Sequence, residues 1–173
     1  MTKKEFLNAV SKGKEDIIQI FLDALTTSKA SYCVIGGLAV NAYAEPVVSL
    51  DLDIIVATEN IEAVCKTIEK YFKIERFAHS VNLSSAKSDL RIQLQTDPRY
   101  QDFISRAVNQ TVLGYQMNVA NMEDVLQGKI WAYLDEQRRK SKRLKDLSDI
   151  IRLIEVNPSL NDLIPASIKE RID

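Results

Sequence analysis

The segment from Leu50 to Ala57 constrains this chain more than any other. It opens with alternating polar and apolar residues, Asp51-Leu52-Asp53, and runs on as the unbroken apolar stretch Ile54-Ile55-Val56. A strand of that composition belongs at the centre of a sheet, covered on both faces at its apolar end. Alternate residues of a strand share a face, so Asp51 and Asp53 leave the backbone on the same side. Two carboxylates that close repel each other, and a hard divalent cation such as Mg²⁺ relieves the repulsion with oxygen ligands.

The rest of the chain supplies partners for such a strand. Ile17, Ile18, Phe21, Leu22 and Leu25 recur at helical spacing and predict a helix through Ala30. Tyr32 to Ile35 reads as a short apolar strand that runs into Gly36-Gly37, followed by a short helix from Leu38 to Tyr43 that Glu45-Pro46 stops. Ile61, Val64, Cys65, Ile68, Tyr71 and Phe72 form an amphipathic helical stripe. Asp89 to Gln95 alternates strictly, with Leu90, Ile92 and Leu94 on one face and Asp89, Arg91, Gln93 and Gln95 on the other.

Asp97-Pro98 is a helix start. After Gly114 comes a strand from Tyr115 to Ala120, then a helix from Asn121 to about Glu136 and a last one over Leu144 to Val156. Strands interleaved with helices and followed by helices alone predict an α/β (α+β) fold: a small mixed sheet flanked by helices, with a helical C-terminal part. The expected division is a core over residues 1–120 and a helical part over 121–173, packed as one compact unit.

The composition excludes several chemistries. Cys33 and Cys65 are the only cysteines and His79 the only histidine, which rules out a Cys/His zinc cluster and any triad with more than one His. Both cysteines fall on apolar faces and read as core. No apolar run approaches the ~20 residues of a membrane span, and the N-terminus lacks the pattern of a secretory signal, so a cytoplasmic protein is expected. The net charge is −1, but Arg138, Arg139, Lys140, Lys142, Arg143 and Lys145 place six positive charges in eight residues, leaving −7 on the remainder. Such a run is a solvated helix end or a landing site for phosphate groups.

Gly36-Gly37 lets a backbone approach a phosphate closely at a helix N-terminus. A strand, this glycine pair, a helix, and Asp51-x-Asp53 on a second strand together resemble the signature of the DNA polymerase β-like nucleotidyltransferase superfamily. The resemblance implies that the glycines hold a nucleoside triphosphate, that the two acids bind metal, and that a third carboxylate on a later strand completes the site. Asp89, at the start of the alternating strand, is the residue expected in that role, since Asp97 is already accounted for by capping. Further on, Lys129 and the pair Asp146-x-x-Asp149 look like the Lys and Asp-x-x-Asp motifs of AbiEii nucleotidyltransferase toxins. Relatives of that kind carry an Arg and then Ser/Thr before the acidic pair. Here the stretch is Glu45-Pro46-Val47-Val48-Ser49, so Ser49 fits and the Arg is absent.

Helical geometry singles out Lys129 and Asp146 independently. At about 100° per residue, Lys129 falls in the arc of Met122, Val125, Leu126 and Tyr133, and Asp146 between Ile150 and Leu153. A charge among aliphatic side chains needs a partner. Two arrangements are open: a salt bridge between the two helices, or Lys129 on a triphosphate with Asp146 on a hydroxyl or on that Lys.

The activity this implies is transfer of a nucleoside monophosphate from an NTP to an acceptor hydroxyl. Asp51, Asp53 and Asp89 would hold Mg²⁺, and Gly36, Gly37, Ser49, Lys129 and Asp146 would bind the nucleotide. The resemblance points to tRNA as acceptor, with a protein or small molecule as alternatives, and to an antitoxin as partner. A catalytically silent nucleotide-binding or protein-interaction module of the same fold is the rival reading.

Overall fold

The computed structural model describes residues 1–173. Its strands are β1 (Tyr32–Ile35), β2 (Asp51–Val56), β3 (Lys73–Arg76), β4 (Ser80–Ser85), β5 (Ser88–Gln95), β6 (Val108–Val112) and β7 (Tyr115–Val119). They form one seven-stranded sheet in the order β3-β4-β5-β2-β1-β7-β6. The helices are α1 (Lys3–Val10), α2 (Ile17–Thr27), α3 (Gly36–Tyr43), α4 (Ile61–Ile68), α5 (Met122–Leu134), α6 (Lys140–Val156) and α7 (Ala166–Ile172), with 3₁₀ turns over Thr58–Asn60, Pro98–Arg106 and Pro158–Leu163. The mixed α/β architecture is the one the sequence predicts. No helix is long and apolar enough to cross a membrane.

β2 lies in the middle, parallel to β5 and antiparallel to β1, and β1 in turn pairs in parallel with β7. Leu52, Ile54, Ile55 and Val56 are fully buried, as their continuous apolar run requires. α2 and α4 pack together, and the Phe21 and Phe72 rings meet edge to face at 6.4 Å. α5 and α6 pack on each other and on α3. The Pro98–Arg106 turn, capped by Asp97, lies against β2. It supplies Tyr100 and Phe103 to an aromatic cluster in which Phe103 stacks on Trp131 at 5.7 Å, so Trp131 is a packing residue. Cys33 and Cys65 are buried and free, and burial pushes the Cys33 thiol up to about 12.

Several expectations are corrected. The N-terminal helix is two helices broken at Ser11–Asp16, because Thr2 caps α1 with a reciprocal box to Glu5 and Asp16 separately caps α2. The Asp97-Pro98 segment is 3₁₀ rather than α-helical. α6 begins at Lys140, not Leu144, so Lys140, Lys142, Arg143 and Lys145 lie in its first turns, with Arg138 and Arg139 just before it. The edge strands β3 and β6 carry mostly exposed polar residues and give no hydrophobic alternation to find. β6 joins β7 through Leu113 (φ 50°) and Gly114 (φ 86°), a two-residue turn whose positive φ values match the twist of a hairpin.

Candidate active site

Gly36 follows directly on β1 and starts α3 with φ at +71°, in the left-handed region where a side chain is strained. A Cβ there would overlap Asp53 Oδ2 and stand 3.0 Å from Asp53 Cβ. The glycine therefore has two reasons to be a glycine, and both serve the approach of the Asp53 carboxylate to the first turn of α3. The α3 N-terminus has no side-chain cap, so its first N–H groups are left for another acceptor. Gly37 is different. A Cβ there would meet Ser49 Oγ at 3.5 Å and Lys145 Nζ at 3.9 Å, both ordinary contacts. Ser49 is buried, and its hydroxyl donates to the Asp51 carbonyl and accepts from the Asp51 N–H, closing the turn into β2.

Asp51 and Asp53 share a face of β2, and both line one cavity of about 420 Å³. Burial raises the Asp53 carboxyl above the usual range; Lys129 opposes that and Asp51 adds to it. Asp51 carries two cations, Lys142 Nζ at 3.2 Å from Oδ2 and Arg91 Nε at 3.3 Å from Oδ1.

Lys129 is buried and engages two carboxylates, Asp146 Oδ1 at 3.0 Å and Asp149 Oδ2 at 2.8 Å. The second approach is off the axis of a hydrogen bond, and Asp149 Oδ2 has no hydrogen-bond partner. Burial works against the charge on Lys129, but Asp149 and Asp146 outweigh it and hold the ammonium above its ordinary value. Asp146 also receives Arg138 Nε at 2.7 Å, and Asp149 receives Arg152 at 2.8 Å. Arg152 reaches on to Asn41 and to the Glu45 carbonyl, while the Asn41 amide brackets the backbone of Val47 at 2.7 and 2.9 Å. The interhelical salt bridge is thus present, and it extends into a network that fixes the loop leading to the acidic pair.

The structure does not bring Asp89 to the site. Its side chain is exposed and pairs with Lys12 at 3.4 Å, and it does not line the cavity. The register of β2 against β5 sets Asp51 opposite Arg91 and Asp53 opposite Gln93, two and four residues further along the same face. The row continues across the sheet to Asn82 and then Glu75. An amide thus stands beside Asp53 where a third carboxylate was expected. Glu75, on the edge strand β3, is a cavity carboxylate that sequence reasoning missed, as are Arg91 and Gln93, while Arg139 and Lys142 bring the expected phosphate-attracting basic run to the cavity. Of these, only the basic run gave any prior signal.

The cavity therefore has an acidic floor on β2, an amide-rich platform on β4 and β5, and a cationic wall from α6 and the segment before it. No group of three or more His, Cys, Asp or Glu side chains gathers here as a ready metal centre. Asp51 and Asp53 on one face of β2 are the two carboxylates that could serve a hard divalent cation, which would take its other oxygen ligands from water and substrate. Mg²⁺ characteristically takes one or two carboxylates and completes its shell with water and phosphate oxygens.

The fold has known counterparts. The solution structure of the antibiotic-resistance factor ANT(2'')-Ia superposes with a TM-score of 0.64 at 11% identity, covering 90% of each chain. The lincosamide antibiotic adenylyltransferase LnuA, solved with lincomycin bound, gives 0.57 at 13% identity over 82% of this chain and 98% of its own. An antigenic nucleotidyltransferase-like protein from Paracoccidioides brasiliensis gives 0.52 at 18% identity, over 89% of this chain and 78% of its own. No curated protein sequence matches the chain. A profile of the nucleotidyl transferase AbiEii toxins, type IV toxin–antitoxin system, matches residues 21–173. That match spans most of the chain and includes every element of the site, and the chain accordingly belongs to the AbiEii family of nucleotidyltransferase toxins.

Proposed function

We propose that this nucleotidyltransferase moves a nucleoside monophosphate from a Mg–NTP to an RNA hydroxyl, releasing pyrophosphate. The observation that carries the reading is the fit of Gly36 to Asp53. A left-handed residue without a side chain, at the uncapped start of α3, lets a carboxylate of the acidic pair lie close against the beginning of that helix. Asp51 and Asp53 would hold the metal, which when bound neutralises charge on the triphosphate and orients it for in-line attack. The N–H groups at the start of α3 would hold phosphate oxygens, with Arg139 and Lys145 adding positive charge nearby.

The buried group of Lys129, Asp146 and Asp149 supports this site from behind. Lys129 is saturated by carboxylates, so its part is to hold α5 and α6 together and to temper the charge on Asp53. A proton must leave the acceptor hydroxyl. Gln93 cannot take it, and Asp146 is locked between Lys129 and Arg138. Glu75, the remaining cavity carboxylate, sits on β3, three strands and about 14 Å from β2, and is paired with Lys73. It does not reach a hydroxyl beside Asp53, and the proton leaves to solvent in the open cavity.

RNA is favoured over a small molecule by the wall of the cavity. Arg139, the cap residue of α6, lines the cavity, and Lys140 and Lys145 follow it, exposed, on the first turns of that helix, where a polyanion would meet them. The family resemblance makes tRNA the specific acceptor to test first, and a cognate antitoxin the expected partner. The deciding experiment incubates the protein with each α-labelled NTP, Mg²⁺ and cell extract, then separates RNA, protein and small molecules. Label in RNA, lost with Asp53→Asn, is the expected result. Label in protein or in a small molecule would reject RNA, and nucleotide binding without label anywhere would return the silent module.

A further inference from the structure

We propose that Lys142 is a two-position cation that holds Asp51 in the metal-free protein and moves to the triphosphate when Mg–NTP enters. This rests on the nucleotidyltransferase reading of the cavity and adds a residue that neither the glycine pair nor the Lys129 network accounts for.

Both oxygens of Asp51 carry a cation, Lys142 on Oδ2 at 3.2 Å and Arg91 on Oδ1 at 3.3 Å. A carboxylate so engaged cannot give its full charge to a metal ion, so the metal must displace a partner. Lys142 is the one built to leave. It projects from the first turn of α6, its side chain is 36% exposed, and the Asp51 contact is its single ion pair. An ammonium on a flexible four-carbon stem gives up one oxygen and finds another at little geometric cost. Lys129, by contrast, is enclosed by two carboxylates and has nowhere to go. Lys142 also lines the same cavity as Gly36 and Asp53, within reach of the space a triphosphate would fill. A divalent ion arriving at Asp51 repels the ammonium beside it, and the phosphate oxygens that come with the ion attract it. Metal and nucleotide are then coupled through Lys142 as well as through their direct contact, and the coupling must be reciprocal.

The test counts bound Mn²⁺ by electron paramagnetic resonance, with and without α,β-methylene analogues of the four NTPs. It compares the wild-type chain with Lys142→Met and Arg139→Met. Arg139 lines the cavity but makes no ion pair with Asp51, so the two variants lose the same charge and differ only in that ion pair. For Lys142→Met, Mn²⁺ alone should bind about two- to five-fold tighter, the range of a half-exposed ion pair. Its binding with the analogue should weaken roughly ten-fold, the loss of a charge-assisted hydrogen bond. Arg139→Met, which removes the same charge without an ion pair to Asp51, should shift the affinity for Mn²⁺ alone clearly less than Lys142→Met does. Equal shifts in the two variants would reduce the effect to general field and overturn the proposal, as would an unchanged affinity in Lys142→Met. Wild-type protein that holds Mn²⁺ but none of the analogues would instead reject the nucleotide site itself.

Discussion

Asp53 Oδ2 occupies the space that a side chain at position 36 would need, and Gly36 sits at φ +71° to leave that space open. A left-handed non-glycine residue costs about 1–2 kcal/mol from its backbone alone, and here the carboxylate must also swing aside. Gly36→Ala should lower the melting temperature and abolish metal-dependent nucleotide binding. Gly37→Ala meets only ordinary contacts, so it should leave both nearly unchanged. Thermal melts by circular dichroism and Mn²⁺ titration check the pair of variants. Equal damage from both would remove the special role given to position 36.

The charge on Asp53 is a liability to the metal-free fold. Its carboxyl is raised by burial, so the folded chain binds this proton more tightly than the unfolded chain. Stability from this group is present below the unfolded value and is lost as pH rises through the folded one. Asp53→Asn should therefore raise the melting temperature of metal-free protein at neutral pH. The gain should fade as the solution is made acid enough to protonate Asp53 in the wild type. Mg²⁺ should stabilise the wild type and not the variant. A variant melting lower than wild type at neutral pH without metal would contradict this account.

Lys129 joins two helices through two buried carboxylates. Lys129→Met would strand part of that charge, a loss of about 3 kcal/mol for a broken buried pair, or roughly 6–12 °C in a chain of this size. Differential scanning calorimetry gives the answer, and a loss below about 1 kcal/mol would mean that Arg138 and Arg152 suffice for Asp146 and Asp149.

RNA binding should be electrostatic and located on α6. Replacing Arg139 and Lys140 with Ala should weaken it and reduce the slope of log affinity against log salt by about one for each phosphate no longer neutralised. Arg138 is left out because it is committed to Asp146. Filter binding at several salt concentrations measures the slope, and an unchanged slope would move the RNA elsewhere or replace it with another acceptor.

Much of this architecture is local and could be read from the residues. The buried strand with two acids on one face, the glycines before α3, and the amphipathic helices all follow from period and composition. Lys129 and Asp146 stood out because charge on an apolar arc demands a partner, and each is among the other's partners. What escaped had no local cause. The edge strands β3 and β6 are polar and short, and they form because the sheet beside them offers unpaired backbone. The third acid failed for a sharper reason. A slip of one residue between β2 and β5 would turn every side chain to the wrong face, so alternation excludes it. A slip of two keeps every face and changes only which residue lies opposite Asp53. Alternation alone cannot choose among Asp89, Arg91, Gln93 and Gln95. The tertiary register chose Gln93, because it is set by how β5 enters the sheet, through the Ser11 and Leu50 carbonyls that receive the Asp89 and Arg91 N–H groups.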